Sequence, residues 1–75
     1  MTISREQVVN RIGDAGFKYH SETKRVELYR KKGTQDYVVV PRHDLLPETS
    51  VRIILRQAGL EPEQIEEFIK GAIKS

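Results

Sequence analysis

The chain has 75 residues, no cysteine and a formal net charge of +2. That length allows one domain and little interior, since a chain of this size buries only about 60% of the surface its unfolded form exposes. A deep substrate cleft is excluded, as are disulfides and cysteine-type zinc sites. No apolar run approaches the ~20 residues that a membrane-spanning helix needs. The polar start from Ser4 to Gln7 has no signal-peptide core, so a cytoplasmic protein is expected. The charge is uneven: residues 1–32 carry eight Lys/Arg against four Asp/Glu, and residues 33–75 carry five against seven. A basic first half is suited to a polyanion partner, although charge runs are commonly just solvated faces.

Taken in order, the chain first offers a helix over residues 5–15. Ser4 stands where an N-cap would, Gln7 three residues on completes a capping box, and Ile3 and Val8 take the staple positions. Val8, Val9, Ile12 and Ala15 form its inward stripe, and Gly16 suits the left-handed position past its end. Residues 17–20 read as a strand with Phe17 and Tyr19 on one face and Lys18 and His20 on the other. After a turn over 21–24, residues 25–31 alternate, with Val26 and Leu28 facing one way and Glu27 and Tyr29 the other. Gly33 marks a hairpin loop, and residues 36–40 return as a third strand ended by Pro41.

A polar loop then leads to a helix over 47–58. Pro47 is expected at its first position, Val51, Ile54, Leu55 and Ala58 form its apolar stripe, and Gly59 lies just past its end. Pro62 opens a last helix whose Ile65, Phe68, Ile69 and Ala72 form another stripe. The expected architecture is α+β in the order α-β-β-β-α-α. It is a three-stranded antiparallel sheet with two helices packed on one face, plus a C-terminal helix. Residues 1–75 form one domain, with the core in 1–60 and the C-terminal helix in 61–75.

Gly16-Phe17, Leu28-Tyr29, Val38-Val39-Val40-Pro41 and Ile54-Leu55-Arg56-Gln57-Ala58-Gly59-Leu60 together resemble the HicA, or YcfA-like, toxin family. The resemblance covers most of residues 8–69. It implies a fold like that of double-stranded-RNA-binding domains, cleavage of mRNA, and a HicB-like antitoxin as protein partner. The family's Gly-Ser-His motif falls on Lys24, Arg25 and Val26, and its following aromatic on Tyr29. Valine has no titratable group and transfers no proton, so the activity implied by the resemblance is expected to be lost or altered.

Two histidines remain as candidates for a displaced general base. If the second and third strands pair around Gly33, Val26 lies opposite Val40 or Pro41. His43 then sits beside Lys24 and Arg25, as the alternative catalytic residue; exposure in a loop is the simpler fate for it. His20, His43 and Asp44 lack ligand spacing, so neither a metal nor any other cofactor is expected. Lys18, Lys24, Arg25, Arg30, Lys31 and Lys32 are the candidate RNA contacts, Lys31 and Lys32 as a hairpin tip reaching a phosphate groove. A charged hairpin that keeps an edge strand from aggregating needs the same residues. Tyr19 and Tyr29 could stack bases if exposed, but core packing is the commoner fate. The leading expectation is a HicA-like RNA-binding toxin component, with a non-enzymatic protein-interaction module as the alternative and an active endoribonuclease using His43 as a third reading. Should the chain form a homodimer, the C-terminal helix is the expected contact.

Overall fold

The computed structural model describes residues 1–74, with side chains through Ile73; the Lys74 side chain and Ser75 lie outside the described residues. The elements are β1 (Thr2–Ser4), α1 (Arg5–Asp14), β2 (Phe17–Glu22), β3 (Val26–Lys31), β4 (Tyr37–Pro41), β5 (Leu45–Pro47), α2 (Glu48–Gln57) and α3 (Pro62–Lys74). Strands β2, β3 and β4 form the antiparallel meander, in that spatial order. Helix α1 packs beside β2 and α2 beside β4 on one face of this sheet, and α3 packs on α2 and β1. The chain is therefore α+β with a three-stranded sheet, two helices on one face and a C-terminal helix. Val26 pairs with Pro41, within the expected register.

One small sheet was not expected. Strands β1 and β5 pair antiparallel, with Ile3 opposite Leu46 and Ser4 opposite Leu45. Ile3 and Leu46 are 2% and 0% exposed; burying one large aliphatic from each segment is what holds so short a ribbon. Its backbone bonds continue past both ends: Arg5 N–H donates to the Asp44 carbonyl at 2.9 Å, and Glu48 N–H to the Met1 carbonyl at 3.0 Å. The segment ahead of α2 is thus a strand where a polar loop was expected. Two capping expectations change with it. Ser4 occupies the N-cap position of α1 but makes no side-chain cap bond, while its backbone pairs with Leu45. Pro47 is the last residue of β5 and the N-cap of α2, at φ −59° and ψ 147°. Its fixed φ suits a first helical turn, but pairing with Thr2 holds ψ in the extended range.

Strand β2 also runs past its expected end, to Glu22, and carries a β-bulge between Tyr19 and Ser21. The helix ends behave as their glycines suggest. Past α2, Gly59 has φ +89°; its N–H donates to the Arg56 carbonyl at 3.0 Å and Leu60 N–H to the Leu55 carbonyl at 3.1 Å. This pair of bonds is the Schellman arrangement, and it turns Leu60 back into the core, where it is 7% exposed. At the start of α3, Glu61 N–H donates to Gln64 Oε1 at 2.8 Å, the reach-back bond of a capping box.

The core gathers Val8 and Ile12 of α1, Val38 and Val40 of β4, Val51, Ile54 and Leu55 of α2, and Ile65 and Ile69 of α3. Helix α3 therefore contributes to the interior of its own chain, and Arg52 of α2, itself held by Glu48 one turn back, ties α3 down further through an ion pair to Glu66. Leu55→Ala is expected to cost about 2–5 kcal/mol, because Leu55 is fully buried. Ile53→Ala, one turn face away and 60% exposed, is expected to stay within about 0.5 kcal/mol of the parent. Urea melts of the two variants measure the contrast; equal losses would mean that α2 does not present the Leu55 face to the sheet.

Candidate nucleic-acid interface

The sheet has one face under the helices and one open. Which residues reach the open face follows from β4, where Val38 and Val40 are buried and the intervening Val39 is 42% exposed. Side chains alternate along a strand, and paired residues share a face. Tyr37, Val39 and Pro41 of β4 therefore lie on the open face. Their partners Arg30, Leu28 and Val26 of β3 lie there too, as do Lys18 and Ser21 of β2. The bulge puts His20 on the same side, with its ring edge-on to Tyr37 at 5.4 Å.

At one end of this face Lys18, Arg30 and Tyr37 form a row across all three strands. The Arg30 guanidinium lies 5.8 Å from the Tyr37 ring centroid, and its Nε donates to the Thr34 carbonyl at 3.0 Å. Lys18 and Arg30 are like charges directly opposite one another, a destabilising pair, and among the described residues neither forms an ion pair with a carboxylate. An anion seated between them would relieve that repulsion. Tyr37 beside them is 43% exposed and presents an aromatic surface on which a base can stack. At the other end the face turns aliphatic, with Leu28, Val39, Val26 and Pro41.

The remaining candidate cations are dispersed. Lys31 pairs with Phe17 on the opposite face, and its stem runs over Gly16: a Cβ there would stand 3.5 Å from Lys31 Cε. Lys32 is exposed in the β3–β4 loop. Lys24 and Arg25 sit in the β2–β3 turn, at the other end of β3, roughly 17 Å of strand away. Thr23 builds that turn: its Oγ1 accepts from Arg25 N–H and Val26 N–H, both at 3.2 Å. The six cations thus divide between the hairpin end, with Lys18 and Arg30 on the open face, Lys31 on the other face and Lys32 in the loop, and the β2–β3 turn, with Lys24 and Arg25.

Arg42 N–H donates to the Arg25 carbonyl at 3.0 Å, and the Arg42 guanidinium pairs with Glu22 at 2.8 Å and donates to the Thr23 carbonyl at 3.1 Å. His43 follows Arg42 at this end of the sheet. It is exposed, and its ring has no hydrogen-bond partner among the described residues. A general base needs an orienting group, and His43 lacks one. Among the described residues no cluster of His, Asp and Glu could hold a metal ion.

The best-built polar cluster lies on the helix side and was missed in the sequence. Arg5, at the start of α1, binds Glu27 of β3, and Tyr29 Oη donates to the same Glu27 carboxylate at 2.9 Å. Burial, then the bond to Glu27, push the Tyr29 phenol up to about 12. Tyr19 stands edge-on to Tyr29 at 6.1 Å and donates to Glu22 at 2.7 Å; that bond raises its pKa too. A phenol held this firmly in its protonated form is no proton acceptor near neutral pH. The cluster is a clamp between α1 and the sheet, and the only sequence sign of it was Glu27 two residues before Tyr29 on one strand face. Tyr29 is 7% exposed, and Tyr19, although exposed, shares its side of the sheet by pairing with it, so neither offers the open-face ring that Tyr37 does.

No protein-family model matches the chain, and no curated protein is similar to it.

The raised Tyr29 pKa sets the sign of a pH effect. A group whose pKa is higher folded than unfolded stabilises the fold below its unfolded value, about 10 for tyrosine, and loses that contribution as pH rises toward its folded value. Wild-type stability is expected to fall between about pH 10 and the folded value of about 12. Tyr29→Phe is expected to be less stable than wild type at pH 8 by about 1 kcal/mol, with the difference shrinking through that window. Denaturant melts at pH 8, 10 and 11 compare the two; a constant difference would mean that the phenol is not held by Glu27.

Proposed function

We propose that this chain is an RNA-binding domain of the HicA-like type, the toxin component of a toxin–antitoxin pair, in which cleavage at the family's site has been lost. The observation that carries the reading is the Lys18–Arg30 pair beside exposed Tyr37 on an open sheet face. Two unneutralised cations attract phosphate, and the adjacent ring supplies sequence-tolerant stacking. Val26, the position of the family histidine by the resemblance, lies on this same face. RNA seated there would pass a side chain that transfers no proton. A HicB-like antitoxin would act by covering the face.

Lys18 and Arg30 carry more of the phosphate contact than Lys31 on the opposite face, Lys32 in the loop or the distant Lys24–Arg25 turn. Fluorescence anisotropy with a structured RNA, titrated at several salt concentrations, tests the reading. Wild-type affinity should fall steeply with salt. Lys18→Ala with Arg30→Ala should weaken binding and flatten the salt dependence by about two slope units, one per lost contact. Tyr37→Ala should cost about 1–3 kcal/mol. The RNA should stay intact, and Val26→His alone should not restore full cleavage, because Lys24 and Arg25 replace the flanking Gly-Ser. Unchanged binding in the double variant would overturn the assignment of this face. RNA degradation abolished by His43→Ala would instead make the chain a nuclease with a displaced base.

A further inference from the structure

The two edges of the three-stranded sheet differ. Edge strand β2 is guarded in the usual ways, with a bulge at His20 that breaks its register and a lysine at Lys18. Edge strand β4 has neither, and its one guard is Pro41 at its end. It reads Tyr-Val-Val-Val-Pro, pairs with β3 without a register shift, and has no strand on its outer side. Lys31 N–H donates to the Asp36 carbonyl and Arg42 N–H to the Arg25 carbonyl. In the antiparallel pattern, residues 36, 38, 40 and 42 therefore turn their backbone groups toward β3. Tyr37 and Val39 turn theirs outward, with the carbonyl of Pro41.

We propose that this chain forms a two-fold dimer by pairing its β4 edges antiparallel, centred on Val39. In that register the Val39 N–H of each copy donates to the carbonyl of the partner's Val39. The Tyr37 N–H donates to the carbonyl of the partner's Pro41, where the missing proline N–H costs only the Tyr37 carbonyl its mate. Shifting the pairing by one step toward the hairpin puts Asp36 opposite the partner's Val40. One step the other way sets Val39 against the partner's Pro41 and loses the central bonds.

Charge complementarity selects a second copy as the occupant. The Val39-centred register places Asp36 opposite the partner's Arg42, and by symmetry does so twice. It sets no like charges opposite each other along the paired segments. Arg42 is 41% exposed at its side chain, so it can take a second carboxylate beside Glu22. Beside this edge α2 leaves Ser50, Ile53 and Gln57 around a shallow groove with Val39 and Pro41. Ile53, at 60% exposed, is an apolar residue that the chain's own core does not use. The symmetry axis brings the two α2 helices toward each other there. The expected contact thus moves from α3, whose Ile65 and Ile69 are already in the core, to β4. The proposal does not depend on RNA binding.

Sedimentation equilibrium of the full chain, from about 1 µM to about 1 mM, reads the dimer directly. Wild type should self-associate within that range to a dimer and no further, since pairing consumes the open edge. Val39→Lys sets two cations together on the axis and should raise the dimer dissociation constant about tenfold or more, with an unchanged circular dichroism spectrum because Val39 is outside the core. Asp36→Lys lies outside the strand and should weaken the dimer in the same direction; it carries the test should the Val39 variant fail to fold. A wild-type chain that stays monomeric throughout, including one that instead binds an added peptide strand, overturns the proposal. So does a dimer that neither substitution weakens.

Discussion

The burial of Val38 and Val40 beneath α2 is the contact on which the other placements depend. Both side chains are fully excluded from solvent, and full burial of each is worth about 1.5–3 kcal/mol relative to exposure. Because a strand has a period of two, a slip of one residue would expose both and bury Val39 with its neighbours Tyr37 and Pro41. That choice passes through the ladder to β3. Tyr29 and Glu27 go under the helices because they pair with Val38 and Val40. Arg30, Leu28 and Val26 go to the open face for the same reason. The electrostatic character of each face is thus decided by an apolar contact in which no charged residue takes part.

The two faces handle charge in opposite ways. Under the helices Glu27 meets a guanidinium and a phenol, and the Arg5 Nε alone stays buried without a partner among the described residues. Satisfying that carboxylate matters because an unpaired charge in a low-dielectric interior is expensive. On the open face water screens the Lys18–Arg30 repulsion, so the pair can be tolerated without a carboxylate. A ligand that displaces this water must bring its own negative charge. The aliphatic end of the same face, around Leu28 and Val39, makes no such demand, and that division separates the region suited to phosphate from the region suited to an apolar partner.

Much of this was legible in the residues. The helical stripes of Val8–Ile12, Val51–Leu55 and Ile65–Ile69 identified the inward faces, Gly16 and Gly59 marked two helix ends, and the hairpin around Gly33 was enough to bring Val26 opposite Val40 or Pro41, the second of which the structure shows. The β1–β5 ribbon was not legible. Its strands have three residues each, too few for an alternation to show, and its partners are separated by the whole of the sheet. Ser4 and Pro47 carried strong helix-start signals, and α1 and α2 do begin directly after them, but nothing local showed that the same two residues also pair in the ribbon. Tyr37 escaped attention for a different reason. Three successive valines do not reveal which of them faces inward, so the exposure of Tyr37 had to await the contact between β4 and α2. The dispersal of the six cations also depends on three-dimensional placement: Lys31 looks like the neighbour of Lys32 but its side chain lies over Gly16.

Val26 joins these observations. Its place on the open face, next to Leu28 and opposite Pro41, makes it part of an apolar strip that ends at the β4 edge. A histidine there would put a polar, titratable ring into that strip. The glycine and serine that precede the family histidine would also have to fit a turn now built around Thr23, whose hydroxyl accepts from the Arg25 and Val26 amides. The absence of a proton-transferring group and the presence of an apolar strip are, on the HicA-like reading, one feature of composition read in two ways. On the HicA-like reading, a face that once positioned RNA for cleavage now holds it by charge and stacking at the Lys18–Arg30–Tyr37 end. The end that carries Val26 is, on the same reading, left free to pack against protein.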